Sequence, residues 1–235
     1  MTSMLCTTLL IWFIEQAYGD TILVSGYGDQ MTKLSLSRTE AGLQLEKVTD
    51  WKVDNALTWL QKEGNILYGA HEVEEYNGCP GGAVSRWNIS ENGLLKLETV
   101  TLPFPSPAHL LVSLELSLAF TANYGGNSFT VLKLVDGALG DVVYQESFDA
   151  GCRDKSHPHQ TVVQAPWVWV IDLGCDAIWH YKVEDGKVEK LSNTKVEDGL
   201  GPRHMVLHKD RQLMFLLGEL KSKVEVIGNE YIEHK

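Results

Sequence analysis

The chain has 235 residues, with 20 Lys and Arg against 31 Asp and Glu and a formal charge of −11. That balance excludes a nucleic-acid surface, which needs a basic patch to hold phosphates, and no apolar run reaches the ~20 residues of a membrane-spanning helix. The length suffices for a substantial core in one domain or two, and 21 Gly, 7 Trp and 8 Tyr suit strands joined by tight turns.

Residues 1–19 stand apart. Residues 4–14 are apolar, as in a signal-peptide core, Ala17-Tyr18-Gly19 offers small residues for cleavage, and strand signals begin at Thr21. The segment has no Lys or Arg and carries Thr7 and Thr8. It reads as a signal peptide or as an N-terminal extension. A cleaved leader would imply secretion; an uncleaved one would leave the protein in the cytoplasm.

Strand signals follow at 21–25, 31–37 and 43–48, separated by Gly28-Asp29 and Ala41-Gly42. A second unit covers 56–102, and its insertion at 74–82, with Cys79-Pro80-Gly81-Gly82, reads as a surface loop. Pro103, Pro105 and Pro107 punctuate the entry to a third unit. The linker at 149–156, whose Arg153 and Lys155 read as loop charges, leads to a fourth. A fifth starts at Gly201 and loses its pattern near Gly228. No segment shows helical periodicity. Cys6, Cys79, Cys152 and Cys175 form no C-x-x-C pair and no zinc spacing, so they read as free thiols.

The units repeat. Tyr68, Phe120, Trp169 and Phe215 occupy one position of the second strand in successive units, 52, 49 and 46 residues apart, with a weaker copy near Leu23. Several strands per repeat of roughly 40–50 residues predict an all-β propeller with one sheet per blade. Aligning the first strands on histidine places His109, His159 and His204 at one position. First strands line the central channel, so these histidines should converge there with Arg203. The second-strand ends should bring Glu72, Asn123, Asp172 and Glu219 to the same mouth.

Five motifs now in view are Ala122-Asn123-Tyr124-Gly125-Gly126, Ser156-His157-Pro158-His159, Asp172-Leu173-Gly174-Cys175-Asp176, Gly201-Pro202-Arg203-His204 and Gly218-Glu219-Leu220. In this order and spacing the chain resembles the lactonase family of seven-bladed β-propellers, which includes bacterial-type 6-phosphogluconolactonases and 3-carboxy-cis,cis-muconate lactonizing enzymes. The resemblance covers about 21–226 and departs in two ways. The later blades are missing, and Gly218 stands where the family usually has Asn. It implies a partial propeller over 20–235 with about four to five blades, truncated at the C-terminus. The apolar flanks of its first and last blades would then be exposed and favour self-association.

The resemblance also implies catalytic roles for His159, Arg203 and Glu219. His159 would act as general acid or base, Glu219 as base or as the group orienting His159, and Arg203 as clamp for an anion or oxyanion. An Arg203–Glu219 structural ion pair is the plain alternative. His109, His157, His204, Asn123, Asp172 and Glu72 are candidate substrate contacts, although Asn123 and Asp172 also suit turns. Imidazole suits a metal, but the neighbouring carboxylates vary between repeats, so no metal or cofactor is assigned. The implied function is a lactonase of carbohydrate metabolism acting on an anionic sugar-acid lactone such as 6-phosphogluconolactone. A muconate-type lactonizing cycloisomerase and a non-catalytic binding platform are the alternatives.

Overall fold

The computed structural model describes residues 11–14, 20–90, 93–148, 152, 155–208 and 213–228. Cys6, Arg153 and most of the leader segment lie outside the described residues. Blade one comprises β1 (Ile11–Ile14), β2 (Asp20–Val24), β3 (Gln30–Thr39) and β4 (Gly42–Lys52). Blade two contains β5 (Leu57–Glu63) and β6 (Ile66–His71). Then comes a small inserted hairpin of β7 (Glu75–Tyr76) and β8 (Cys79–Pro80), and the blade finishes with β9 (Ala83–Ser90) and β10 (Gly93–Thr101). Blade three is β11 (Pro107–Ser113), β12 (Leu118–Asn123), β13 (Ser128–Val135) and β14 (Ala138–Ser147). Blade four is β15 (Pro158–Gln164), β16 (Trp167–Asp172), β17 (Ala177–Glu184) and β18 (Lys187–Lys195). Blade five has three described strands, β19 (Pro202–His208), β20 (Leu213–Gly218) and β21 (Lys223–Gly228).

Each sheet is an antiparallel meander, and all five second-strand signals fall on second strands, in β2, β6, β12, β16 and β20. Ile11–Ile14, inside the segment with leader-like composition, is a strand in register with Thr21–Val24. Turn chemistry sets the hairpins. Asp136-Gly137 and Asp185-Gly186 have φ of 52° and 78°, and of 50° and 72°. Positive φ at both central residues is the requirement of a two-residue hairpin turn, and Asp-Gly meets it at least cost.

Period-two alternation gives every inner blade two apolar faces. In β16, Val168 and Val170 pack toward blade three with Phe120 and Phe129, while Trp169 and Ile171 pack toward blade five with Met205 and Leu216. In β12, Ala119 faces blade two beside Tyr68 and Phe120 faces blade four. Burying such side chains fully contributes about 1.5–3 kcal/mol each, so the fold is held by blade-to-blade contact rather than by one central core. Among the described residues, apolar clusters join blades one to two, two to three, three to four and four to five. The far face of blade five is open: Phe215, Leu217, Val224 and Val226 are exposed while Met214 and Leu216 are buried.

The thiols differ from expectation. Cys152 and Cys175 form a disulfide, and Cys79 is free and exposed. The bridge ties Cys152, ahead of blade four, to Cys175 in the β16–β17 turn, two cysteines 23 residues apart.

Candidate functional site

The first strands carry the site, and one irregularity sets its register. In four blades the pairing of first and second strand skips one residue near its start, between Leu57 and Trp59, Pro107 and His109, Pro158 and Gln160, and Pro202 and His204. The skipped residues are Thr58, Ala108, His159 and Arg203. A β-bulge frees its extra residue from the ladder and re-aims it. All four bulge residues line one cleft of about 440 Å³.

This register corrects the histidine alignment. His159 is equivalent to Arg203, Ala108 and Thr58, one position out of step with His109 and His204. The latter pair is equivalent to Trp59 and Gln160. Backbone bonds define a second equivalent set just past the second strands. The N–H groups of Glu72, Tyr124, Leu173 and Glu219 donate to the carbonyls of Ala56, Ser106, His157 and Gly201 at 2.8–3.0 Å. Glu72, Tyr124 and Glu219 line the cleft, and the β2–β3 loop closes it from blade one with Tyr27 between Gly26 and Gly28.

The three residues given catalytic roles therefore meet in one cleft, in a different pairing from the one expected. Arg203 Nη1 donates to Glu219 Oε2 in an ion pair. No bond joins Glu219 to His159 among those described. His159 is buried, its Nδ1 has no hydrogen-bond partner among the described residues, and its ring stands edge-on to Tyr124 at 5.6 Å and to His204 at 5.2 Å. Burial, with Arg203 adding to it, holds His159 down at about 3, and the same two causes hold His204 at about 4. Both imidazoles are neutral at pH 7. Across the cleft, Glu72 accepts from Tyr27 Oη at 2.9 Å, and burial raises its pKa.

The remaining candidates are placed elsewhere. His109 is buried between blades three and four, where its Nδ1 accepts from the Thr161 N–H at 3.3 Å and lies 3.1 Å from Thr161 Oγ1. It lines a different, mainly apolar cavity of about 570 Å³ between the first strands. Gln160, one blade on, makes the equivalent link by accepting from the Met205 N–H. Gln61 joins blade two to three through both the N–H and the C=O of Val112. His109 is thus one of a series of inter-blade pins. His157 stacks on Tyr124 at 4.3 Å and donates from Nδ1 to the Tyr124 carbonyl at 3.0 Å, bracing the cleft wall from behind.

Asn123 and Asp172 are fully buried at the ends of β12 and β16. Asn123 Nδ2 donates to Ser128 Oγ and Thr130 Oγ1. Asp172 accepts from Ser156 Oγ, Trp179 Nε1 and the N–H groups of His157, Gly174 and Cys175. Gly218 holds the equivalent position in blade five. A Cβ there would lie 2.2 Å from Leu200 Cδ1 and 3.0 Å from the Leu200 carbonyl oxygen, so the buried Leu200 occupies the space of the missing side chain.

Residues 21–234 match the family model described as Lactonase, 7-bladed beta-propeller. The chain belongs to this family. The 6-phosphogluconolactonase of Bacillus subtilis (strain 168) is 28% identical over 177 residues, which cover 72% of this chain and 49% of that one. The solved periplasmic gluconolactonase of Pseudomonas aeruginosa superposes with a TM-score of 0.74 at 21% identity, over 89% of this chain and 64% of its own. A solved Lactobacillus plantarum protein is 25% identical, with a TM-score of 0.70 over 94% of this chain and 65% of its own. The chain spans about half the length of the curated relatives it matches.

Tyr27 and Tyr124 are among the cleft residues that the sequence does not single out as site groups. Tyr124 had a signal, because the second-strand alignment already sets it level with Glu72 and Glu219. Tyr27 had only an aromatic side chain between two glycines.

Proposed function

We propose that the cleft hydrolyses a sugar-acid lactone, with an anionic substrate of the 6-phosphogluconolactone type as the first reading. The observation that carries it is the convergence of His159, Arg203 and Glu219 in one 440 Å³ cleft, a volume suited to a small ligand. In this reading Arg203 stabilises the oxygen that becomes negative when water adds to the lactone carbonyl. Glu219 fixes the guanidinium through their ion pair, and neutral His159 hydrogen-bonds the substrate.

One observation favours a neutral lactone as a second reading. Arg203 is already paired with Glu219, and Glu72 faces the same space, so an added phosphate would meet two carboxylates and one guanidinium. A pH-stat assay on 6-phosphogluconolactone, δ-gluconolactone and a muconate-type lactone tests both. Acid release above the spontaneous rate supports lactonase action, and the ratio of phosphorylated to neutral substrate chooses between the readings. No turnover of any of them would leave the cleft a binding platform.

A further inference from the structure

The geometry points to Glu72 as the catalytic base of this cleft, held in place by Tyr27. The inference rests on the lactone-opening reading above and goes beyond it by naming the group that activates water. The cleft offers two carboxylates at equivalent strand ends, Glu72 and Glu219. Glu219 is committed to Arg203 by an ion pair. Glu72 has no cation bonded to it among the described residues; its Oε2 accepts from Tyr27 Oη at 2.9 Å.

A base must combine reach with basicity. His159 lies in the cleft, but burial and Arg203 hold it near 3. Burial acts in the opposite direction on Glu72, raising it, while Tyr27, Thr58 and Arg203 pull it partly back. A carboxylate held above its ordinary value of about 4.3 accepts a proton more readily than an imidazole held near 3, and base efficiency follows that order. The other charged or titratable groups that line the cleft with Glu72 are His159 from β15, Arg203 and His204 from β19, and Tyr124 and Glu219 past the ends of β12 and β20.

The step balances within the cleft. Water forms a bond to the lactone carbonyl carbon while its proton passes to the Glu72 carboxylate. The tetrahedral oxyanion faces Arg203. The bond from that carbon to the ring oxygen then breaks, and Glu72 returns the proton to the departing alkoxide. No oxidant, metal or second substrate is required.

The test uses the full chain and the pH dependence of kcat/KM on its best lactone. Wild type should show an acidic limb above the ordinary carboxylate value. Glu72→Gln should lower kcat by about 10²–10⁴-fold, the usual worth of a positioned base, and abolish that limb. Tyr27→Phe keeps the ring and removes the hydroxyl that lowers Glu72, so the limb should move to higher pH. An acidic limb unchanged in both variants would overturn the assignment and leave the lactonase reading standing. A Glu72→Gln protein that does not fold leaves Tyr27→Phe as the deciding measurement. Wild type that turns over no lactone would overturn the lactonase reading and the assignment with it.

Discussion

Arg203, at the bulge that opens β19, and Glu219, just past the end of β20, face each other and neutralise one another, leaving His159 beside them with no carboxylate partner among the described residues. In chains built on a Glu–His pair, losing the glutamate changes the histidine. Here it should change the arginine. Arg203→Ala should reduce kcat by about 10²–10³-fold, as loss of an oxyanion donor does elsewhere. Glu219→Gln should cost less, because the guanidinium remains and only its orientation loosens. Steady-state kinetics on both variants checks the ranking; Glu219→Gln as damaging as Arg203→Ala would count against it.

His109 should behave as a structural residue. It is buried at 3% exposure and bonded to the neighbouring blade. His109→Ala should destabilise the fold by about 2–4 kcal/mol through the lost bond and the cavity. His109→Gln should recover much of that, because Gln160 makes the same link in the next blade with an amide oxygen. Urea denaturation measures both.

The fold should be sensitive to acid from an unusually high pH. His109, His159 and His204 are held neutral by burial, well below the free value of about 6.5. The unfolded chain therefore binds more protons below pH 6.5. Stability is full above that pH and falls as the pH drops toward the folded values of about 3 for His159 and about 4 for His204. By pH 5 His159 and His204 each cost about 2 kcal/mol. Glu72, shifted upward, opposes the trend. Urea midpoints between pH 7 and 5 should fall steeply in wild type and less steeply in His204→Gln.

Reduction should weaken the blade-three to blade-four junction. The Cys152–Cys175 bridge closes a 23-residue separation, for which chain-entropy estimates give roughly 3 kcal/mol. Thermal unfolding with and without a thiol reductant should show a lower Tm when reduced. Cys152→Ser should reproduce that Tm and remove its dependence on reductant.

The blades were legible because alternation in the second strands is a strong signal, and Tyr68, Phe120, Trp169 and Phe215 do hold one position there. The first strands were misread by a residue. Histidine is a conspicuous letter, and aligning on it hid the bulge. Aligning on Pro107, Pro158 and Pro202, which share a register, would have set His159 level with Arg203. The union of His159, Arg203 and Glu219 survived the slip because a bulge moves a side chain along the strand without moving it to another blade. The disulfide was not legible, since two strands separate its cysteines and no motif spacing links them. Tyr27 was not legible because a loop brings it to Glu72 across 45 residues.

The bulge has a consequence for how such a protein can change. Blades two, three and five each present the cleft with one residue taken out of the ladder and one just past the end of a strand, so the pairs Thr58 with Glu72, Ala108 with Tyr124 and Arg203 with Glu219 act like separate keys on one keyboard. None of the six is among the residues of the apolar clusters described between neighbouring blades. Chemistry can therefore be rewritten one blade at a time while the packing stays fixed. Ala108 is the key that plays no note: a polar side chain placed there would enter the cleft beside Thr58 and His159 without breaking a single rung of the sheet.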